Sequence, residues 1–226
     1  MKLNCATVKD FFSSIKDSEI ESYNDYWAEM KPQTDRAAFR RYLFAFMSVH
    51  TSWQNNCKGY NGIKDFTKWI DKRNEGLYSY NAEKLFDKIR RARVGFQNNR
   101  TNFIGTFYDN FWGNTDNYIR PADGEGWAAW RDRISKKILG LGNAKTSFAI
   151  EMLHPTEAQV VCLDTHLFQV YGLNQTKHSK YYHRIEKDWL KRSKKAGVAP
   201  YIARCIYWDR KQNRKNSRYW SWVLEA

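Results

Sequence analysis

The chain has 226 residues, 42% of them hydrophobic and 16% aromatic, which is enough apolar material to bury a core and too much for a disordered tail. A formal charge of +14 and a pI near 9.6 favour a polyanionic partner over a small acidic or neutral one, with nucleic acid ahead of an anionic membrane surface. No apolar run is long enough to span a bilayer and no signal-like leader is read after Met1, so a cytoplasmic protein is expected. The scattered Cys5, Cys57, Cys162 and Cys205 read as reduced thiols without a zinc or iron–sulfur site.

Helical periodicity dominates, strand alternation is nearly absent, and an all-α fold is expected. Residues 7 to 30 read as one or two amphipathic helices that stop at Lys31-Pro32. Thr34 or Asp35 caps the next helix, whose face of Phe39, Tyr42, Leu43, Phe46 and Met47 is core. The pattern breaks at Ser48-Val49-His50-Thr51-Ser52 and resumes in a helix with Cys57 and Tyr60 that Gly62 ends. Ile63 to Ile70, Ala82 to Arg91 and Asn99 to Phe111 continue the series, punctuated by Gly76, Gly95 and Gly113. Asn114 to Gly126 reads as a loop. Beyond it Trp127, Trp130, Ile134 and Ile138 restore a helical stripe. Lys177 to Lys195 is a basic stretch, a further helix covers Pro200 to Arg210, and Lys211 to Arg218 is a basic run suited to solvent or to a phosphate backbone. Most of the ten tryptophans read as core filler, and Trp53, Phe96, Trp127 and Tyr207, although able to stack on a base, carry a core reading as well.

Two apolar helical patterns meet at Gly140-Leu141-Gly142, a hinge short enough to force a hairpin. Glycines there admit a left-handed backbone and a close approach by another molecule. The N–H groups that open the second helix, around Gly142, Asn143 and Ala144, point outward with no helical acceptor, an arrangement that attracts phosphate. Lys145 falls in the first turn of that helix. Nineteen positions later Asp164 follows the apolar run Val160 to Leu163, at the start of another helix.

The pattern Leu139-Gly140-Leu141-Gly142-Asn143-Ala144-Lys145-Thr146, followed by Asp164-Thr165-His166, resembles the helix-hairpin-helix DNA glycosylases, the group of endonuclease III and 8-oxoguanine glycosylase. Met47-Ser48-Val49-His50-Thr51 and Val94-Gly95-Phe96-Gln97-Asn98-Asn99-Arg100 are similar to two further segments of that family, in the same order. The resemblance implies a two-lobed all-α fold: a six-helix lobe over about 35–137, the hairpin over 138–150, and a second lobe from 1–34 with 151–226. It also implies a monomer acting on double-stranded DNA with a modified base, without a cofactor, in the cytoplasm or nucleoid, or in the host cytoplasm if phage-encoded. Counted from Gly142 the lysine comes one residue later than the family places it, where Ala144 stands. Counted back from Asp164, Lys145 is at the family's distance. His50 stands where several members carry a glutamine that wedges into the duplex, and Gln54 and Trp53 are neighbouring candidates for the wedge or pocket.

A base inside a duplex is out of reach, so such an enzyme flips the nucleotide into a pocket. The family roles carry over as a phosphate anchor on Gly140, Leu141, Gly142, Asn143 and Ala144, and as catalysis by Asp164 and Lys145. A buried carboxylate at C1′ stabilises the positive charge that builds on the sugar as the glycosidic bond breaks. A neutral lysine amine attacking the same carbon would add strand cleavage through a Schiff base. Three functions follow: excision of a damaged or modified base, with or without AP-lyase activity; group transfer to a retained thymine derivative, as in phage-type relatives; or DNA binding without chemistry. An Asp before Thr-His also serves as a plain helix cap, and a lysine in a first turn as a phosphate contact.

Overall fold

A computed structural model of the protein describes residues 3, 5–65, 81–213 and 223, and every regular element among the described residues is helical. The chain divides into two compact units. One takes in residues 32–149; the other takes in residues up to 31 together with those from 150 to 213.

The first unit is built on α3 (Asp35–Met47). Thr34 caps it, the Oγ1 accepting the Ala37 N–H at 3.2 Å. The sequence predicts one apolar face, yet Arg41 through Met47 are buried without interruption. A helix covered on all sides is a central one, and α4 (Trp53–Ile63) and α6 (Gln97–Gly113) both pack on it. Its aromatic ring contacts carry the core. Phe39 stacks on Phe107 at 5.6 Å, Tyr42 lies 4.7 Å from Phe107, and the Tyr42 hydroxyl donates to the Tyr118 carbonyl at 2.7 Å. That last bond ties down the expected loop 114–126, which contains one helical turn, α7 (Asp116–Ile119), after α5 (Ala82–Arg91) and α6. Gly62 lies inside α4 rather than ending it, because the backbone ladder runs on to the Lys64 N–H, bonded to the Tyr60 carbonyl. The rest of the helix expected up to Ile70, and the turn at Gly76, lie outside the described residues. α8 (Trp127–Ser135) and the start of α9 (Asn143–Leu153) complete this unit, and Ile138 falls in the turn between them.

The other unit holds α1 (Ala6–Ser13), α2 (Asp17–Glu29), the end of α9, α10 (Thr165–Val170), α11 (Tyr182–Lys195) and α12 (Pro200–Lys211). Two helices therefore form over 7–30. Trp27 packs on Tyr201 at 4.8 Å, and Trp189 receives Phe11 and Phe12 on its ring while its indole N–H donates to the Pro200 carbonyl at 3.1 Å. Trp27, Trp130 and Trp189 are thus core filler. The basic stretch after Lys177 is largely α11, which buries Ile185 and Trp189 and turns Lys187, Lys191, Lys194 and Lys195 outward. Most of the final basic run, from residue 214, lies outside the described residues.

Candidate nucleic-acid interface and catalytic carboxylate

The hairpin between α8 and α9 is pinned by polar bonds across its two arms. Arg131 of α8 is fully buried and reaches Ser147 Oγ of α9 at 3.4 Å, and Ser135 Oγ donates to Asn143 Oδ1 at 2.9 Å. Thr146 Oγ1 donates back to the Leu141 carbonyl at 3.3 Å. The hinge glycines have different tasks. Gly140 is left-handed, with φ +84°, and the Phe103 ring of α6 lies so close that an added Cβ would stand 2.3 Å from its Cδ2. Gly142 has no left-handed φ, and its Cβ would meet nothing within 4 Å. The fold therefore needs glycine at 140. At 142 the space is open to an incoming molecule.

Leu141 is buried and its N–H is bonded to the Ile138 carbonyl, so its part in anchoring a ligand is limited to holding the turn. Leu139 is the exposed apolar side chain of the hinge, 53% accessible. Asn143, Ala144 and Lys145 are the first three residues of α9, whose opening N–H groups have no acceptor within the helix. All three are half-buried, and the Lys145 ammonium stands 5.6 Å from the Phe148 ring centroid. A glycine exchange separates the two roles. Gly140→Ala, strained in backbone and clashing with Phe103, is expected to lower stability by about 3 kcal/mol or more. Gly142→Ala is expected to stay within about 0.5 kcal/mol of wild type while duplex binding weakens several-fold. Thermal melts beside a binding titration check both.

In the same unit, His50 and Phe96 both have left-handed backbones, φ 48° and 51°. Their rings lie 6.2 Å apart. Such conformations are uncommon outside glycine and persist only where the surroundings enforce them. The enforcing group is Arg100, 4% exposed. Its guanidinium donates to the Phe46 and Val49 carbonyls, to the Gly95 carbonyl at 2.9 Å, to the Val94 carbonyl at 3.1 Å and to Thr51 Oγ1 at 3.0 Å. The loops carrying the two rings are thereby locked together. A pocket of about 210 Å³ lies among them, lined by His50, Phe96, Arg100, Phe103 and Gly140, so the loops and the hairpin hinge share one surface. Phe96 is 60% exposed, which overturns its core reading. Trp53 is half-buried, its ring edge-on to buried Phe44 at 5.7 Å, and Gln54 is exposed on α4.

Asp164 belongs to the other unit. It caps α10, its Oδ1 accepting the Leu167 N–H at 3.0 Å, and is half-buried. His166 packs its ring on Trp208 at 4.8 Å. Tyr207 reaches the His166 carbonyl at 3.5 Å; burial first, and the Asp164 charge second, raise its phenol above the usual range. The residues before Asp164 are buried and belong to no helix or strand, and side chains take up their polar backbone groups. The Val161 N–H goes to Glu186 Oε1 at 2.9 Å, and the Val161 carbonyl accepts from the Tyr182 hydroxyl at 2.6 Å. The Cys162 N–H goes to Glu151 Oε1 at 3.0 Å, and the Leu163 carbonyl accepts from Gln175 Nε2 at 3.2 Å. Neither glutamate stands out in the sequence, because an acid on a helix reads as a solvated one. Among the described residues no cluster of three His, Cys, Asp or Glu is placed to hold a metal ion.

No protein-family model matches the sequence, and no curated protein matches it. Solved structures do. The 8-oxoguanine DNA glycosylase of Thermotoga maritima aligns with a TM-score of 0.67 at 16% identity, over 89% of this chain and 94% of that one. The 8-oxoguanine glycosylase/lyase of Methanocaldococcus jannaschii, in complex with a 15mer DNA containing 8-oxoguanine, aligns with a TM-score of 0.68 at 13% identity, over 93% of this chain and 98% of that one. With helices alone among the described elements, and with this coverage, the chain has the all-α, helix-hairpin-helix fold of the 8-oxoguanine DNA glycosylases.

Proposed function

We propose that the protein is a DNA glycosylase that extrudes a damaged or modified nucleotide from duplex DNA and releases its base. The observation that carries this reading is Asp164, a half-buried carboxylate at the end of a buried segment whose backbone is fixed by four side chains. A carboxylate held this firmly is suited to stabilising charge that appears only in the transition state. As the C1′–N bond breaks, the base departs with the electron pair, the sugar becomes cationic, and Asp164 stabilises it while a nucleophile adds at C1′. The hairpin N–H groups and Gly142 take a DNA phosphate, setting register without reading sequence. His50 and Phe96 supply rings that fill the gap left by the extruded base. The named activity of the structural neighbours makes 8-oxoguanine the first base to test.

Lys145 is assigned the lyase step. Its amine adds at C1′ as the base leaves, the sugar ring opens to a Schiff base, and β-elimination expels the 3′-phosphate. Borohydride reduces that imine to a stable amine, so incubation with duplexes carrying modified bases and borohydride is expected to leave a covalent protein–DNA adduct. Lys145→Gln is expected to remove it. Base release without an adduct in the wild type would assign the chemistry to Asp164 and water alone. A base that is altered but retained would replace excision with group transfer.

A further inference from the structure

The segment Val160–Leu163 is buried and joins no sheet among the described residues, so its amides lack ladder partners and depend on side chains. Glu151, near the end of α9, is completely buried and is the most constrained of these supports. One carboxylate oxygen accepts the Cys162 N–H at 3.0 Å and the Arg204 Nε–H at 3.1 Å. The other lies 2.7 Å from an Arg204 terminal nitrogen. Arg204, from α12, is itself buried and lies over the Tyr201 ring at 5.1 Å. The Cys162 amide is two residues from Asp164, and Asp164 in turn holds the Leu167 N–H. Hydrogen bonds thus lead from Arg204 through Glu151 to the buried segment at Cys162, and two residues of backbone lead on from there to the aspartate.

We propose that Glu151 is a positioning residue for Asp164: its ionised carboxylate, balanced by Arg204, holds the Cys162 N–H and so fixes the approach to the aspartate. The inference rests on the reading of Asp164 as the catalytic carboxylate. A charge-assisted hydrogen bond is shorter and about twice as strong as a neutral one, and neutralising Glu151 would also take a buried counter-charge away from Arg204. The groups that face Glu151 are Arg204, the Cys162 amide, the Asp164 carboxylate and the Cys205 thiol. Burial pushes the Glu151 carboxyl up to about 7, with Asp164 adding to the rise while Arg204 and the Cys162 N–H oppose it. The hold on Asp164 therefore tightens as pH rises through neutrality.

The test uses the full chain. Amide signals of Cys162 and Leu167 are followed by NMR from pH 5.5 to 8.5 in wild type and in Glu151→Gln, beside single-turnover excision and duplex binding on an 8-oxoguanine duplex. Both wild-type amides are expected to titrate together with a midpoint near 7, and Glu151→Gln is expected to abolish that titration. Turnover should fall ~10- to 100-fold in the variant, the cost of a misplaced catalytic group, with duplex affinity unchanged within about twofold because Glu151 touches no surface. A Cys162 titration that Leu167 does not share would show a support for the segment that does not reach Asp164, and would overturn the proposal. So would a variant with wild-type turnover. If Glu151→Gln fails to fold, the same two amides are followed in His166→Gln, which removes the imidazole next to Leu167, and a shared titration that survives there decides the matter. Wild-type protein that titrates as expected yet releases no base from any duplex would refute the glycosylase reading and leave the structural coupling standing.

Discussion

Asp164→Asn is expected to lower base release by two to three orders of magnitude, the range found when a preorganised group that stabilises transition-state charge is removed, while duplex affinity stays within about twofold of wild type. The substitution is a clean one because asparagine caps helices about as well as aspartate. It keeps the bond from residue 164 to the Leu167 N–H and deletes only the negative charge. Asp164→Ala removes the cap as well and is expected to cost about 1 kcal/mol of stability. A capping role alone predicts the reverse pattern, with Asp164→Asn unaffected in every assay. Equal losses of binding and turnover in Asp164→Asn would assign the residue to folding.

The second large effect is expected at Arg100. Its guanidinium satisfies four backbone carbonyls and one hydroxyl, from three stretches of the chain, in a place from which water is nearly excluded. Arg100→Met preserves much of the stem's volume but takes a donor from all four carbonyls; the Thr51 hydroxyl, within 2.9 Å of the Val49 carbonyl and 3.2 Å of the Val94 carbonyl, can serve one of those two, and each carbonyl that stays buried and unpartnered costs about 1–3 kcal/mol. Partial relaxation of the loops toward solvent reduces the sum, so a loss of about 4 kcal/mol or more is expected, a fall of roughly 10 °C in melting temperature for a chain of this size. The functional loss is expected to exceed the stability loss. His50 and Phe96 owe their left-handed backbones to this clamp. Without it the loops relax to ordinary φ and the two rings no longer stand together. Melting curves and duplex-binding titrations, compared below the variant's melting temperature, separate the two losses.

The parts of this arrangement that were legible in the sequence are those written in local patterns. The hairpin follows from two glycines between apolar stripes, and the helix start at Asp164 from the apolar run before it. The helix start after Thr34 follows from its capping hydroxyl, and the helices from Ala82 and Pro200 from helical periodicity. What escaped is set by contacts between distant residues. Phe96 reads as core filler because composition cannot tell an aromatic ring that packs from one forced outward, and the forcing group, Arg100, acts through carbonyls as far away as Phe46. Glu151 looks like any acid on a helix until Arg204, 53 residues on, is seen to cover it. The different tasks of Gly140 and Gly142 were equally hidden, because the Phe103 ring that decides between them comes from another helix.

The most direct measurement of the central claim is mass spectrometry of everything present after the wild-type protein is incubated with duplexes carrying 8-oxoguanine and other modified bases. Free base in solution, with an abasic or cleaved strand left behind and neither formed by Asp164→Asn, is the predicted result. Strands that keep every base, whether unchanged or enlarged by a transferred group, would contradict it.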